Sequence, residues 1–395
     1  MIRNRQAGFD RRPPHTNGGK SPLRRRWIRL YALVLAGVLT LSGCVGNGSF
    51  SVDPQPTDTR EMRGVWVSFL DLDPLLKGAD PATAQKRLDR VMDVCRQNGM
   101  NTVFFHVRSH SDARYASTVY PAAAAAADLL TAGFDPLAYA ITAAHDRGLE
   151  LHAWINPYRI GQTPDKDKTL CFEKEGTWYY APHQAGARQK VLDGIREILD
   201  NYTVDGIHFD DYFYPEGMNP KGEPFENLPK GANVAQWRQT QVDTLISGVY
   251  GLCRAKGVPF GVSPMAAIDR CRDELYANVA RWMKQPGYID YICPQLYTGF
   301  FHENMPYERQ LERWLALPRR EGVELYVGLA MYKAGLKNDT FAGTGAGEWA
   351  ANDNIIARQV AVARQKKADG FVLFRYDQLV NETAAAERKA LAPLL

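Results

Sequence analysis

Eight times along this chain a short β-like run is followed by an amphipathic helical stretch, and that repetition restricts the fold more than any other feature. The runs are 62–70, 101–108, 149–157, 205–212, 259–265, 289–297, 324–332 and 369–377. Helical patterns separate them near 81–98, 134–147, 185–200, 232–256, 273–284, 306–318 and 350–367, with a short one near 383–393. Several helices end in a glycine just before the next strand, as in QNGMNTV, DRGLELH and AKGVPFG, where a left-handed C-cap is required. Eight strand–helix units predict an α/β fold of the (β/α)8 TIM-barrel type. A doubly wound open sheet would call for a glycine-rich phosphate loop after the first strand, and RGVWVSFLDLD has none.

Strand parity then locates the chemistry. Successive strand residues point to opposite faces, so His106 and Arg108 oppose Val103, Phe105 and Val107. His152, Trp154 and Asn156 oppose Ala153 and Ile155; His208 and Asp210 oppose Ile207 and Phe209; Cys293, Gln295 and Tyr297 oppose Ile292, Pro294 and Leu296. Each strand turns polar on one face toward its C-terminal end, which in a barrel is the mouth where active sites form.

The run DGIHFDDYFYPEG, residues 205–217, is the densest of these ends. Asp210 should face the mouth, and Asp211 joins it only if the chain bends there, as Tyr212 and Pro215 allow. A carboxyl in an aromatic, partly dry pocket beside a second carboxyl stays protonated near neutral pH, as the acid of glycosidic cleavage must. Capping or metal binding is the alternative use of such a pair. Trp66, Trp154, Tyr158, Trp178, Tyr212, Tyr297 and Tyr376 fall at or beyond strand ends, where flat rings can stack on sugars. Together with Arg108, Asn156 and Gln295 they read as a polysaccharide cleft.

Other chemistries lack their motifs. There is no GxSxG elbow and no P-loop, and HEN at 302–304 lacks the second histidine of HExxH. His106, His152 and His208 lie on three strands and can be read as metal ligands or, in preference, as polar core. No metal or other cofactor is therefore expected.

The formal charge of +4 is misleading, because residues 1–44 alone carry nine Lys/Arg and one acid. The remainder is close to −4, which gives no basic body for nucleic acid. RRRWIRLYALVLAGVLTLSGC combines a basic run with about fourteen apolar residues, an export signal too short to span a bilayer. LSGC resembles a bacterial lipobox, which makes Cys44 the lipidated residue and predicts an exported protein anchored to the outer side of a bacterial membrane. Residues 1–44 are thus expected to be signal, 45–60 a tether and 61–395 the barrel. The five other cysteines, with no CxxC spacing and an odd number, indicate neither a zinc site nor a complete disulfide framework.

EMRGVWVSFL, GMNTVFFHVRSHSDARYAS, RGLELHAWINPYR, YTVDGIHFDDYFYPEG, FGVSPM, DYICPQLY, LYVGLAMYK and GFVLFRYDQL, in that order over 61–380, resemble the glycosyl-hydrolase-like family 10 of bacterial lipoproteins. The resemblance implies a TIM-barrel glycosidase acting on peptidoglycan glycan strands freed of their peptides. By position it implies Asp210 and Asp211 as the acidic pair, Asn156 and Arg159 in the NPYR motif, Arg108 and Asp112 in the second-strand motif, and Gln295 and Tyr297 in PQLY. Trp154, His208 and Tyr212 complete the expected substrate-binding set. SHSDARY departs from the family, which more often has proline and glycine before the aspartate. A more distant likeness to family 18 chitinases puts Tyr212 where their catalytic glutamate stands, so the proton donor is left among Asp210, Asp211 and Glu216. A wall-polysaccharide-binding barrel without activity, or a polysaccharide deacetylase or amidase, are the competing functions.

Overall fold

The computed structural model describes residues 61–395; the export signal, Cys44 and the tether lie outside the described residues. Eight parallel strands close into a barrel: β1 (Met62–Val67), β2 (Thr102–Arg108), β3 (Glu150–Ile155), β4 (Gly206–Phe209), β5 (Phe260–Val262), β6 (Tyr291–Ile292), β7 (Glu324–Leu329) and β8 (Gly370–Phe374). Each strand pairs with its neighbours in chain order, and β8 closes on β1 with Met62 opposite Gly370 and Trp66 opposite Phe374. All eight sequence-expected strands are present, but most stop short of their expected C-terminal ends. Beyond β6 only isolated bridges persist, Gln295 with Met265 and with Gly328. The strand-like residues past the ladder are the ones that line the mouth.

The helices pack around the barrel through apolar stripes. In the helix Pro81–Gln97, Ala84, Leu88, Val91, Met92 and Cys95 are buried, and Asp80 caps the first turn by accepting from the Thr83 N–H with Pro81 at the first helical position. Sequence periodicity predicted one helix over 273–284; two short ones form instead, Ile268–Asp273 and Val279–Lys284. Between them Tyr276 adopts a left-handed φ of 56°. A buried cluster holds it there: the Arg238 guanidinium donates to the Tyr276 hydroxyl at 2.6 Å and to both Glu226 carboxylate oxygens at 2.7 and 2.6 Å. This tertiary contact overrides helical propensity. A three-stranded antiparallel sheet, with Thr177–Tyr180 between Arg159–Gly161 and Cys171–Lys174, was not anticipated at all.

Inside the barrel, large rings face glycines on neighbouring strands. A Cβ on Gly206 would lie 2.4 Å from His152 Nδ1, one on Gly261 2.2 Å from the Tyr291 ring, and one on Gly64 2.6 Å from the Phe104 ring. This alternation of ring and void fills the interior with Trp66, Phe104, Trp154, Tyr291 and Tyr326. Their polar atoms form one chain. Trp66 Nε1 donates to His208 Nε2 at 3.2 Å, so the His208 proton sits on Nδ1 and is donated to the Tyr291 oxygen at 3.1 Å. The Tyr291 hydroxyl is then free to donate to His152 Nδ1 at 3.0 Å. Burial holds His208 neutral, its pKa well below the ordinary imidazole value. Two of the three strand histidines therefore serve as polar core.

Candidate active site

The fourth strand ends as its parity requires, and then bends. Asp210 follows Phe209 at the mouth, 5% exposed, with Oδ2 accepting from Trp154 Nε1 at 3.2 Å. The Phe213 N–H turns back onto the Asp211 carbonyl at 2.9 Å, a three-residue turn by which the chain leaves the strand just past Asp211. Asp211 is 8% exposed. Among the described residues no group hydrogen-bonds Asp210 Oδ1. Burial pushes the Asp210 carboxyl well above the usual carboxylate range and the neighbouring Asp211 pushes it further; the Trp154 N–H, the Tyr212 N–H and Arg159 oppose without offsetting. Glu216, the remaining candidate donor in the run, is instead ion-paired with Arg270 at 3.1 Å.

The third strand supplies the cation. Asn156, 1% exposed, accepts the Arg159 N–H on its side-chain oxygen at 3.1 Å, closing a turn over Pro157 and Tyr158. That turn sends Arg159 into the side sheet with its guanidinium 5.2 Å from the centre of the Tyr212 ring. Tyr212, with its hydroxyl pushed up to about 12 mainly by burial, thus lies between Arg159 and the acid pair. Trp154 stacks on His106 at 3.6 Å with the two rings nearly parallel, which fixes the indole that holds Asp210.

The second strand departs from strict alternation. A register shift between His106 and Arg108 sets Arg108 opposite Ile155, an outer-core residue. Arg108 is 2% exposed; it donates to the Pro157 carbonyl at 2.9 Å and lies 4.7 Å from the Tyr120 ring. It therefore braces the NPYR turn from behind, whereas parity had aimed it at the mouth. Asp112 lies in the following loop near Arg114 and Asp73, with a buried Oδ1 that no described group bonds, and burial raises its carboxyl. The Arg114 fork itself is taken by Asp73 at 2.7 and 2.9 Å.

On the opposite side, Gln295 donates from Nε2 to the Ser263 carbonyl at 2.8 Å, so its amide holds the β5–β6 backbone. Tyr297 stands edge-on to Trp66 at 6.5 Å and 5.6 Å from Phe374; both Asp210 and Asp211 contribute to the upward push on its hydroxyl, after burial. The seven aromatics grouped from the sequence divide. Trp66, Trp154, Tyr212 and Tyr297 meet at the mouth, and Trp178 lies on the side sheet. Tyr158 and Tyr376 belong to the outer core.

Several mouth residues were missed. Phe69 caps the mouth at 5.7 Å from His106 and 5.3 Å from His110, and Tyr332 and Phe374 each lie within 6 Å of Tyr297. Asp71, buried, accepts from the Ser68 N–H and hydroxyl at 2.9 Å each and pairs with Arg375, tying the end of β1 to the end of β8. Phe374 shares strand parity with Val372 and was open to the same reasoning; Asp71 and Arg375 carry no local signal, because their partner is some 300 residues away.

Among the described residues no group of three or more His, Cys, Asp or Glu is arranged to hold a metal ion. What the mouth offers is a carboxyl held well above the usual carboxylate range beside a second carboxyl, a cation and an aromatic floor, which suits acid-assisted cleavage of a sugar acetal.

Comparison with known proteins agrees with this chemistry. The model of the family described as glycosyl hydrolase-like 10 matches residues 61–341. The chain is 32% identical over 317 residues to the glycosyl hydrolase YngK of Bacillus subtilis (strain 168), spanning 69% of this chain and 61% of that protein. It is 31% identical over 376 residues to the glycosyl hydrolase DigH of Escherichia coli (strain K12), spanning 78% of this chain and 84% of that one. Among solved structures, the glycoside hydrolase domain of PgaB (BpsB) from Bordetella bronchiseptica superposes with a TM-score of 0.54 at 13% identity, covering 84% of this chain and 99% of that domain. An α-L-fucosidase isoenzyme 2 from Paenibacillus thiaminolyticus gives 0.55 at 14% identity, covering 84% and 49%. At such identities these two speak for the barrel fold alone.

Proposed function

This chain belongs to the glycosyl hydrolase-like 10 family, and from that premise we propose that it is a glycosidase with Asp210 as its general acid. The observation that carries the reading is the Asp210 carboxyl: buried, raised well above the usual range, and with Oδ1 unpaired among the described residues. Its proton passes from the carboxyl to the glycosidic oxygen as the bond from that oxygen to C1 breaks. Water then attacks C1, directly or after the acetamide oxygen of an N-acetylhexosamine has done so, and gives its proton to the carboxylate that Asp210 has become. Asp211 lies beside the developing positive charge on the sugar, and Arg159 and Tyr212 orient polar groups of the substrate from the other side. Tyr297, half-buried at the mouth, supplies a flat face for a sugar ring, with Trp66 packed beneath it.

The substrate in this reading is a peptide-free peptidoglycan strand. The family resemblance points to it, and the aromatic mouth with Arg159 beside Tyr212 suits a strand of N-acetylated sugar rings that carry lactyl carboxylates once the peptides are gone. Residues 1–60 add export and a lipid anchor at Cys44, followed by a tether.

Mass spectrometry of products from purified peptide-free strands tests activity and bond together. Asp210→Asn should lower the rate by about 10²–10⁴-fold; an unchanged rate in both Asp210→Asn and Asp211→Asn removes the pair from the mechanism. For the anchor, Cys44→Ser should abolish incorporation of labelled fatty acid and release the protein from membranes, and retained label would refute it.

A further inference from the structure

The large apolar side chains that the described structure leaves exposed are Leu70, Phe301, Tyr332, Leu336, Phe341 and Val380. Every one follows the C-terminal end of a strand: Leu70 after β1, Phe301 after β6, the next three after β7, and Val380 after β8. Scattered surface apolars need no explanation, but a set confined to the mouth side of one half of the barrel marks a contact surface.

The two most exposed rings, Phe301 at 62% and Phe341 at 51%, sit on loops that are firmly held. The Glu348 carboxylate, 5% exposed, accepts the Phe300 and Phe301 N–H groups at 2.9 Å each. Lys333 and Asp339 form a buried ion pair at 2.6 Å, and Asp339 also holds the Ala342 and Ala346 backbone within its turn. The loops interlock: the Glu303 N–H donates to the Ala342 carbonyl at 3.0 Å, and Gly345 packs so closely on the Phe301 carbonyl that a Cβ there would lie 2.3 Å from it. A buried carboxylate and a buried ion pair thus fix the backbone under rings that themselves bury little. Such an arrangement serves recognition, since a preorganised ring loses little entropy when a ligand covers it.

Continuity identifies the ligand. Tyr332, 38% exposed on the same β7 loop, stands 5.9 Å from Tyr297, which meets Trp66, which meets Trp154 at 6.5 Å beside Asp210. Tyr332 shares the β7 loop with Phe341, and the half-buried Tyr297 carries aromatic surface on from it into the mouth, with Trp66 and Trp154 packed beneath as a buried floor. On the β2 side of the mouth the half-buried Phe69 and His110 stand 5.3 Å apart. Partly exposed rings thus stand on both sides of the mouth that holds Asp210.

Resting on the glycosidase reading above, we infer that Phe301 and Phe341 form a distal platform for the same glycan, so that a long strand lies across the mouth and is cut internally. The full chain and a Phe301→Ala/Phe341→Ala variant are compared on long peptide-free strands and on a four-sugar fragment. On long strands kcat/KM should fall about tenfold, through KM, the scale of two lost ring contacts. The fragment should be cleaved at the unaltered rate, and Phe301→Trp should retain long-strand activity. Equal rates on long strands, or equal losses on both substrates, overturn the platform. If the unaltered chain cleaves neither substrate, the glycosidase reading has failed. Co-sedimentation with the strands then decides the platform: weaker retention of the variant supports it and unchanged retention overturns it. A variant that keeps strand affinity but loses binding to phosphatidylethanolamine/phosphatidylglycerol vesicles assigns these rings to a membrane surface and overturns the inference.

Discussion

Replacing Trp154 with phenylalanine should move the alkaline limb of the pH–rate profile upward. Asp210 must carry its proton to act, so activity falls as pH rises through its raised pKa. Trp154 Nε1 donates to Asp210 Oδ2 at 3.2 Å, a bond that favours the ionised carboxylate. Hydrogen bonds to charged groups contribute about 1.5–3 kcal/mol, and one of this length belongs at the low end. With about 1.4 kcal/mol per pKa unit, its removal shifts the limb up by about one pH unit. Phenylalanine keeps a ring to stack on His106, so the site should lose the donor without collapsing. Asp211→Asn is the opposing perturbation. The Asp211 charge is the second contributor to the raised Asp210 pKa, so its neutralisation should bring the limb down by roughly one unit. The assay is kcat/KM on peptide-free strands between about pH 4 and 9, with new reducing ends as the signal and both limbs compared. Two variants that shift the limb in the same direction, or leave it in place, would show that Asp210 is not the titrating acid.

Further outcomes concern stability. A carboxyl raised in the fold withdraws stability as pH rises from its unfolded value through its folded one, so Asp210→Asn should raise Tm by about 2–5 °C at pH 8 and leave it unchanged at pH 4; calorimetry that finds no pH dependence refutes this. Gly261→Ala drives a methyl to 2.2 Å from the Tyr291 ring and should disrupt the His208–Tyr291–His152 chain, costing about 2–4 kcal/mol in urea unfolding. A loss below about 1 kcal/mol would mean that the interior can repack. Arg238→Ala leaves the Glu226 carboxylate buried without its partner, a loss of about 3–5 kcal/mol, whereas Arg238→Met with Glu226→Leu should recover most of it. Equal midpoints for the single and double variants would contradict that account.

Much of this was legible because burial leaves a periodic imprint. Period two placed all eight strands, and parity placed Trp154, His208 and Asp210 on the inner face. Parity also required a bend for Asp211, and the chain does turn directly after it, where the Phe213 N–H closes on the Asp211 carbonyl. Arg108 escaped the same logic because one extra residue at the end of β2 inverts alternation, and a bulge leaves no mark on composition. The helix expected over 273–284 is broken by a bond from Arg238, 38 residues earlier in the chain.

The sequence by itself determined the barrel, the end of it that carries chemistry, and the acidic run on the fourth strand, because each follows from which side of a local element meets water. Only the tertiary structure decided which acid stands in the aromatic floor and which is drawn off by Arg270, which tyrosines meet the mouth, and how Asp71 and Arg375 join the first strand to the last. Those choices rest on contacts between residues tens to hundreds of positions apart, where distance in space has no counterpart in distance along the chain.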